Sequence, residues 1–114
     1  MMITAKASFV RTSPRKLRIV ARSVSGLKPL EAISQLKLMH KKGAEVILDV
    51  FQQAMGNAKN NFKLSPESLI VKSVQVEEGP RLKRRDAHAH GARFDAGIRR
   101  KRMAHVIVIL EGKE

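Results

Sequence analysis

Three side chains that can bind a metal or exchange protons lie close together in the second half of the chain: Asp86, His88 and His90. If this stretch is extended, the two histidines point to the same face, because side chains alternate along a strand. A zinc site needs three or four ligands, and Asp95 is the only other acid close by, so a metal site or a metal-dependent nuclease is weakly supported. We favour the alternative that the two imidazoles contact phosphate or border a solvated tip.

Other signatures of catalysis are missing from the sequence. It contains no Gly-rich phosphate loop, no G-x-S-x-G and no H-E-x-x-H. Cys is absent, which excludes disulfides and thiolate metal sites. His105 falls inside an apolar run without a positioned acid, so we interpret it as a structural histidine or an RNA contact and not as a general base. The residues therefore predict neither an enzyme nor a cofactor.

The strongest feature is a basic segment, residues 79–102, that lies between two apolar runs. Residues 80–102 carry nine Lys or Arg against two acids, a net charge of +7, whereas the whole chain carries +13. The nine cations are Arg81, Lys83, Arg84, Arg85, Arg93, Arg99, Arg100, Lys101 and Arg102. The flanking runs, residues 69–76 and 104–110, have the composition of strands and predict a β-hairpin that protrudes by about 35 Å. Such a hairpin is marginal alone and strongly charged, so we expect a polyanionic partner to order it.

The composition narrows the class of partner. The chain has 114 residues, 43% of them hydrophobic, which predicts one folded domain over 1–114 with 79–102 as its arm. No apolar run approaches a membrane span, and the basic segment has no apolar face to insert into a membrane. Four scattered Phe, with no Tyr or Trp, argue against a single-strand binder that stacks bases on aromatic platforms. Residues 1–6 contain no apolar stretch of signal-peptide length, and the absence of Cys permits a cytoplasmic location without proving one.

RNA and DNA remain as candidate polyanions. A helix pair within residues 13–39 could imitate a helix-turn-helix, but the strongest charge lies on the hairpin, which favours RNA over a stand-alone DNA-binding module. If most of the nine hairpin cations met phosphates, affinity would fall steeply with salt concentration. A plot of the logarithm of affinity against the logarithm of salt concentration would have a slope of very roughly −6 to −8. Phosphate contacts carry no sequence information, so specificity would come from the shape of a large folded RNA.

The periodicity of apolar residues predicts the secondary structure. Ile3, Ala5, Ala7 and Phe9 alternate with polar residues, which is typical of a strand over residues 2–11. Ser13-Pro14 has the form of a helix start, with Ser as N-cap and Pro at the first helical position. The apolar face of this first helix is Leu17, Val20, Ala21 and Val24, and Gly26 is a plausible stop.

Two more helices follow. Pro29 begins a short one with a buried side of Leu30, Ile33 and Leu36, and we place a break near His40, where Gly43 interrupts the pattern. The longest helix covers about residues 41–60, with an apolar stripe of Ile47, Phe51, Ala54, Met55, Ala58 and Phe62. The predicted fold is α+β: three helices packed on a small three-stranded antiparallel sheet, in the order β-α-α-α-β-β, with a long basic hairpin.

Four stretches resemble a known family. Residues 11–20, RTSPRKLRIV, are similar to its R-x-S-P-x-K-x-R-x-V, and residues 54–61, AMGNAKNN, to its A-x-x-N-A-x-x-N. Residues 76–84, VEEGPRLKR, resemble its V-x-E-G-P-x-x-K-R, and residues 101–106, KRMAHV, its K-R-x-x-H-I. The family is that of large-subunit ribosomal protein twenty-two, of bacterial or organellar type. The resemblance runs in order through nearly the whole chain.

The resemblance implies a structural constituent of the large ribosomal subunit that binds several domains of 23S-type ribosomal RNA and acts early in assembly. Its expected partners are that RNA, neighbouring large-subunit proteins and the nascent peptide, with no membrane and no small-molecule substrate. The rRNA-binding residues would be Arg11, Ser13, Arg15, Lys16, Arg18, Arg81, Lys83, Arg84, Arg85, Arg93, Arg99, Arg100, Lys101, Arg102 and His105. The hairpin tip would line the peptide exit tunnel with His88, Ala89, His90, Gly91, Ala92, Arg93 and Phe94.

The tip departs from the family pattern. The Arg expected directly after Gly91 is Ala92 here, and Arg93 follows one position later. Residues 94–97 resemble a small insertion. The resemblance therefore carries over to the body and the basic arms, and not to the drug response or nascent-chain arrest associated with the tip.

Overall fold

The computed structural model describes residues 2–85 and 98–112; for residues 85, 98 and 99 it describes the backbone alone. The elements are strand β1 (Met2–Val10), helices α1 (Pro14–Val24), α2 (Pro29–Leu38) and α3 (Lys42–Asn61), a 3-10 turn (Pro66–Ser68), and strands β2 (Leu69–Arg85) and β3 (Ile98–Gly112). The three strands form one antiparallel sheet. The predicted α+β fold and its order β-α-α-α-β-β are confirmed.

Strand β3 is the centre of the sheet, with β1 on one side and β2 on the other. Along residues 104–110 the even-numbered side chains are buried, and the odd-numbered ones are half-buried on the opposite face. The buried face packs against the helices, whereas the other face is flanked by polar residues of β1 such as Thr4 and Lys6, which pair with Ile109 and Ile107. The central strand therefore carries Ile107 and Ile109 on its outer face as well, where they are only half-buried.

Strands β2 and β3 continue beyond the sheet as the two sides of a hairpin. β1 ends at Val10, opposite Ala104, whereas β2 and β3 stay paired from Arg81 opposite Arg102 to Arg85 opposite Ile98. The molecule measures 65 × 24 × 18 Å, so the arm makes it long and narrow. The protruding hairpin is confirmed as far as these pairs, and its tip lies outside the described residues.

The helices form the second layer of the core. All four residues of the predicted apolar face of α1 are buried. On α3 the buried stripe includes Ile47, Phe51, Ala54 and Ala58, and it also includes Val50, which the sequence analysis did not assign to the core. Phe51 is the largest fully buried side chain, so α3 is the centre of the helical layer. None of the helices within residues 2–85 and 98–112 is long and apolar enough to cross a membrane.

The buried faces of α2 and α3 differ in part from the predicted ones. α2 buries Pro29, Ala32 and Leu36, while Leu30 is 51% exposed. Small Ala32 and Pro29 let this short helix approach the core closely, which rotates Leu30 outward. On α3, Met55 is half-buried and Phe62, the C-cap residue, is 43% exposed. The helix has ended at that point, so the periodicity no longer directs Phe62 inward.

Strand β1 departs from simple alternation at its end. Ile3 and Ala5 are buried as predicted, but Phe9 is 61% exposed and has a φ of 57°. The pairing register with β3 shifts between Ala7 and Val10, so this part of β1 forms a bulge. A bulge leaves an extra residue unpaired and re-aims its side chain. The predicted strand is confirmed, and the bulge turns Phe9 away from the face that Ile3 and Ala5 bury.

The helix starts also correct the sequence analysis. α1 begins at Pro14 as predicted, but the Ser13 side chain makes no capping hydrogen bond; the Ser13 backbone carbonyl accepts from the N–H groups of Lys16 and Leu17. The break predicted near His40 is confirmed, because α2 ends at Leu38 and α3 begins at Lys42. Gly43 lies in the first turn of α3, buried, and a Cβ there would lie 3.1 Å from Leu17 Cδ2. Gly43 therefore allows α3 to begin in close contact with α1.

A pair of glycine substitutions tests the close approach of β2 and β3 at the base of the arm, with an open site on α3 as its control. Gly79→Ala would place a Cβ 3.1 Å from the backbone carbon and oxygen of Met103, which cannot move without distorting the hairpin base. We expect it to lower the free energy of unfolding by about 1–3 kcal/mol. Gly56→Ala, on α3 with nothing within 4 Å, should raise it by up to about 1 kcal/mol through helix propensity. Urea denaturation followed by circular dichroism checks both. Equal stability of the two variants would contradict the described packing at Gly79.

Candidate nucleic-acid interface

The base of the arm packs beside the start of α1. The Arg18 guanidinium donates a hydrogen bond to the backbone carbonyl of Val76 at 3.2 Å, which joins α1 to β2. A cavity of about 70 Å³ beside this bond is lined at the start of α1 by Ser13, Arg15 and Arg18, and at the base of the arm by Arg81, Arg102 and one acid, Glu78. The structure thus brings together two groups of predicted RNA-binding residues that are more than sixty positions apart in the sequence.

A larger groove separates the N-terminal ends of α1 and α3. It has a volume of about 480 Å³, and its wall includes Arg11, Lys16, Lys41 and Lys42 but no acid. The backbone N–H groups at the start of a helix carry partial positive charge, so two helix starts add to the field of these four cations. Lys41 and Lys42 were not among the predicted contact residues. The sequence signal that could have identified them is that two consecutive cations stand at the predicted start of the longest helix.

A third groove connects the other two along the arm. About 260 Å³ in volume, it is lined by Arg11 and Lys42 from the body and by Arg84, Lys101 and Arg102 from the arm. Arg11 and Lys42 also line the large groove, and Arg102 also lines the small cavity. The three cavities therefore form one continuous surface, which we call the basic junction. Its cations are Arg11, Arg15, Lys16, Arg18, Lys41, Lys42, Arg81, Arg84, Lys101 and Arg102.

From the basic junction outward, the two strands of the arm place like charges opposite one another. Arg81 pairs with Arg102 across the two strands, and Lys83 pairs with Arg100. All four side chains are exposed. Like charges at directly opposed positions of a hairpin are destabilising. The arm is therefore a surface whose charge repulsion a polyanion would relieve.

His105 has a structural contact in the central strand. Its Nδ1 accepts a hydrogen bond from the Phe9 backbone N–H at 3.1 Å, and the two rings meet edge to face with centroids 5.1 Å apart. Because Nδ1 is the acceptor, the ring proton of the neutral imidazole is on Nε2. The structure supports a structural role for His105, and its contact with RNA stays a prediction.

The remaining predicted residues lie on the arm or outside the described part of the chain. Arg85 and Arg99 belong to the paired strands. Arg93 and the predicted tunnel-lining residues, 88–94, lie outside the described residues, as do Asp86, His88 and His90 of the weakly supported metal site. Within residues 2–85 and 98–112, no group of three or more His, Cys, Asp or Glu could hold a metal ion.

Comparison with known proteins decides the family. The sequence model of the family described as ribosomal protein L22p/L17e matches residues 5–111, which include most of β1, all three helices, all of β2 and nearly all of β3. The chain belongs to this family. The resemblance noted in its sequence motifs is thereby confirmed.

Individual members of the family match this chain over all or nearly all of its length. A protein named large ribosomal subunit protein uL22 from Thermosipho africanus is 44% identical over 110 residues, which cover 96% of this chain and 72% of the relative. Proteins with the same name from Methylacidiphilum infernorum and Fusobacterium nucleatum are each 41% identical over 114 residues, all of this chain, and are covered to 97% and 100%. The matches thus include the basic arm as well as the body.

The Arg18 hydrogen bond can be tested by substitution. Arg18→Gln should loosen the base of the arm, because the side chain no longer reaches the Val76 carbonyl. Since the bond is solvent-exposed, we expect a loss of less than about 1 kcal/mol in the free energy of unfolding. Hydrogen exchange of backbone amides near Glu78 and Ala104 should become faster. Arg22→Gln, which removes an exposed cation from the last turn of α1, is the control and should leave this exchange unchanged.

Proposed function

We propose that this chain is a structural protein of the large ribosomal subunit that binds large-subunit ribosomal RNA through the basic junction and the arm. The observation that carries the proposal is the continuity of the basic junction with an arm that opposes Arg81 to Arg102 and Lys83 to Arg100. A folded RNA supplies phosphates at many positions and so can neutralise both surfaces together. The family membership and the shared name of the relatives agree with this function.

The proposal assigns no catalytic reaction to the chain. The basic junction offers guanidinium, ammonium and backbone N–H groups, which bind and position phosphate. The chain then acts as one unit, 1–114, in which the body binds RNA at its surface and the arm, 79–102, enters the folded RNA. It requires no cofactor, and its location is that of the ribosome. Neighbouring large-subunit proteins are its other expected partners.

We further propose that the arm reaches the peptide exit tunnel and that residues 88–94 border the nascent peptide. The support is the length of the paired arm, which continues at least to Arg85 and Ile98, together with the resemblance to a family whose hairpin lies there. Seven residues of strand, from Gly79 to Arg85, already extend about 23 Å at about 3.3 Å per residue. Binding several domains of the RNA at its base and along its length would make the chain useful early in assembly.

Sedimentation of ribosomes tests the proposed function. A tagged full chain should sediment with large subunits through a high-salt wash. A variant without residues 80–102 joins Gly79 directly to Met103. Because Glu78 and Ala104 are paired in the sheet, Gly79 and Met103 would form a two-residue hairpin turn with Gly at its first position. The body should therefore fold, but the variant should leave the subunit at lower salt.

The alternatives give different outcomes. If the shortened variant survives the wash like the full chain, the anchoring contacts lie in the body and not in the arm. If the full chain remains at the top of the gradient, the ribosomal function is contradicted. Tight binding to duplex DNA by the shortened variant would then support a stand-alone DNA-binding module.

The contribution of the large groove can be separated from that of the arm. Lys41→Gln with Lys42→Gln should weaken binding to a large-subunit rRNA transcript and reduce the magnitude of the log–log salt slope by about 1 to 2, since each lost phosphate contact contributes about 0.7–0.9. Lys28→Gln with Lys72→Gln removes the same charge from exposed sites that line none of the three cavities of the basic junction. An equal change of slope in both double variants would show that net charge, not the groove, determines binding.

A further inference from the structure

Phe9 is held in a conformation that the core does not require. It is not glycine, yet its φ of 57° lies in the left-handed region, which is unfavourable for a residue with a bulky side chain. Simple alternation along β1 would have buried the ring beside Ala5 and Ala7. Instead the bulge turns the ring outward, where it is 61% exposed. Backbone strain that leaves an aromatic ring in solvent indicates a functional use of that ring.

His105 fixes the position of this exposed ring. Its Nδ1 accepts from the Phe9 N–H at 3.1 Å, which stabilises the bulged backbone. The imidazole also meets the phenyl ring at an angle of 89° with centroids 5.1 Å apart. A perpendicular contact of this kind cannot cover both faces of the phenyl ring. Phe9 therefore presents a free aromatic face in a defined orientation, supported from the central strand of the sheet.

The neighbours of Phe9 along the chain favour an RNA occupant over an apolar protein side chain. Arg11, two residues later, lines both large grooves of the basic junction. Lys6, three residues earlier on the same strand, is exposed on the outer side of the sheet. Glu77, an exposed acid, pairs with His105 on the other side of β3. An aromatic side chain with cations before and after it along the chain can bind a base together with its backbone phosphates.

We propose that Phe9 is a stacking platform for an unpaired nucleobase of the RNA bound at the basic junction, and that His105 is the residue that positions it. Bases that are splayed out of RNA loops and bulges stack on aromatic side chains in this way. The inference rests on the proposed function, since it names one contact of the same interface. It adds recognition of a base to a surface that otherwise contacts phosphate.

Binding of the full chain to a large-subunit rRNA transcript tests the platform through two substitutions. Phe9→Asn removes the ring and keeps a residue that tolerates the left-handed conformation, so the fold should be preserved. We expect its affinity to fall by about 5- to 150-fold, which corresponds to about 1–3 kcal/mol of base–aromatic stacking. Phe9→Tyr keeps the ring and should bind like the original chain. Phe62→Asn removes a second ring that is exposed in the described part of the chain, at the C-cap of α3, and should have no effect.

A fluorescence measurement identifies the occupant. The chain has no Trp and no Tyr, so Phe9→Trp introduces a single reporter. Stacking on a base should quench this Trp and protect it from acrylamide in the binary complex with RNA, whereas Phe62→Trp should change little. His105→Phe in the Phe9→Trp background should reduce the quenching, because the acceptor of the backbone N–H at position 9 is lost.

The outcomes separate this inference from the proposed function. If the original chain fails to bind the transcript, the proposed function is wrong and the platform with it. If it binds but Phe9→Asn binds equally well, or the Trp signal is unaltered by RNA, only the platform is overturned. Protection of the Trp in whole subunits but not in the binary complex would assign the ring to a neighbouring protein and would also overturn it.

Discussion

The repulsion between opposed cations in the arm is the constraint on which the rest of the structure depends. Arg81 and Arg102 pair across the hairpin, as do Lys83 and Arg100, and no core residue covers them. A two-stranded ribbon with such pairs gains little from its own side chains. Its geometry must come from the body, and its charge must be neutralised from outside. Both requirements are met if the arm continues strands that are already fixed in a packed sheet and meets its polyanion at the point where it leaves that sheet.

The body satisfies the first requirement by placing β3 at the centre of the sheet. The same strand that contributes Val106 and Val108 to the core continues outward as one side of the arm. Gly79 allows close approach of the two backbones at the base, and Arg18 holds β2 from the side. The second requirement needs a polyanion, and the basic junction adds cations from residues 11–13 and from two helix starts at the same base, so that a polyanion bound there would contact body and arm together. Rigid support and charge are thus supplied at one place.

Most of the fold could be predicted from the sequence because periodicity and capping residues are local signals. The apolar face of α1 and the start at Pro14 are examples. The errors have a common cause, which is that packing between elements is invisible to local patterns. Leu30 has the spacing of a buried residue of α2 but is exposed, and Phe9 continues the alternation of β1 but is turned outward at the bulge. The arm's cations were identifiable from their density alone. Lys41 and Lys42, by contrast, gain significance only from the groove that α1 forms with α3.

The pairing of β1 with β3 has a consequence for the order of folding. It joins residues that are far apart in the sequence, as the hydrogen bond between Phe9 and His105 shows with a separation of 96 positions. Contacts of such long range form late, because the loop that they close is entropically costly. During synthesis the helices can form while β1 still lacks its neighbour, and the sheet is completed only after the segment of the arm has been made. A chain interrupted before β3 would thus carry part of the basic surface without the strand that fixes it, and it would present exposed apolar helix faces to quality control.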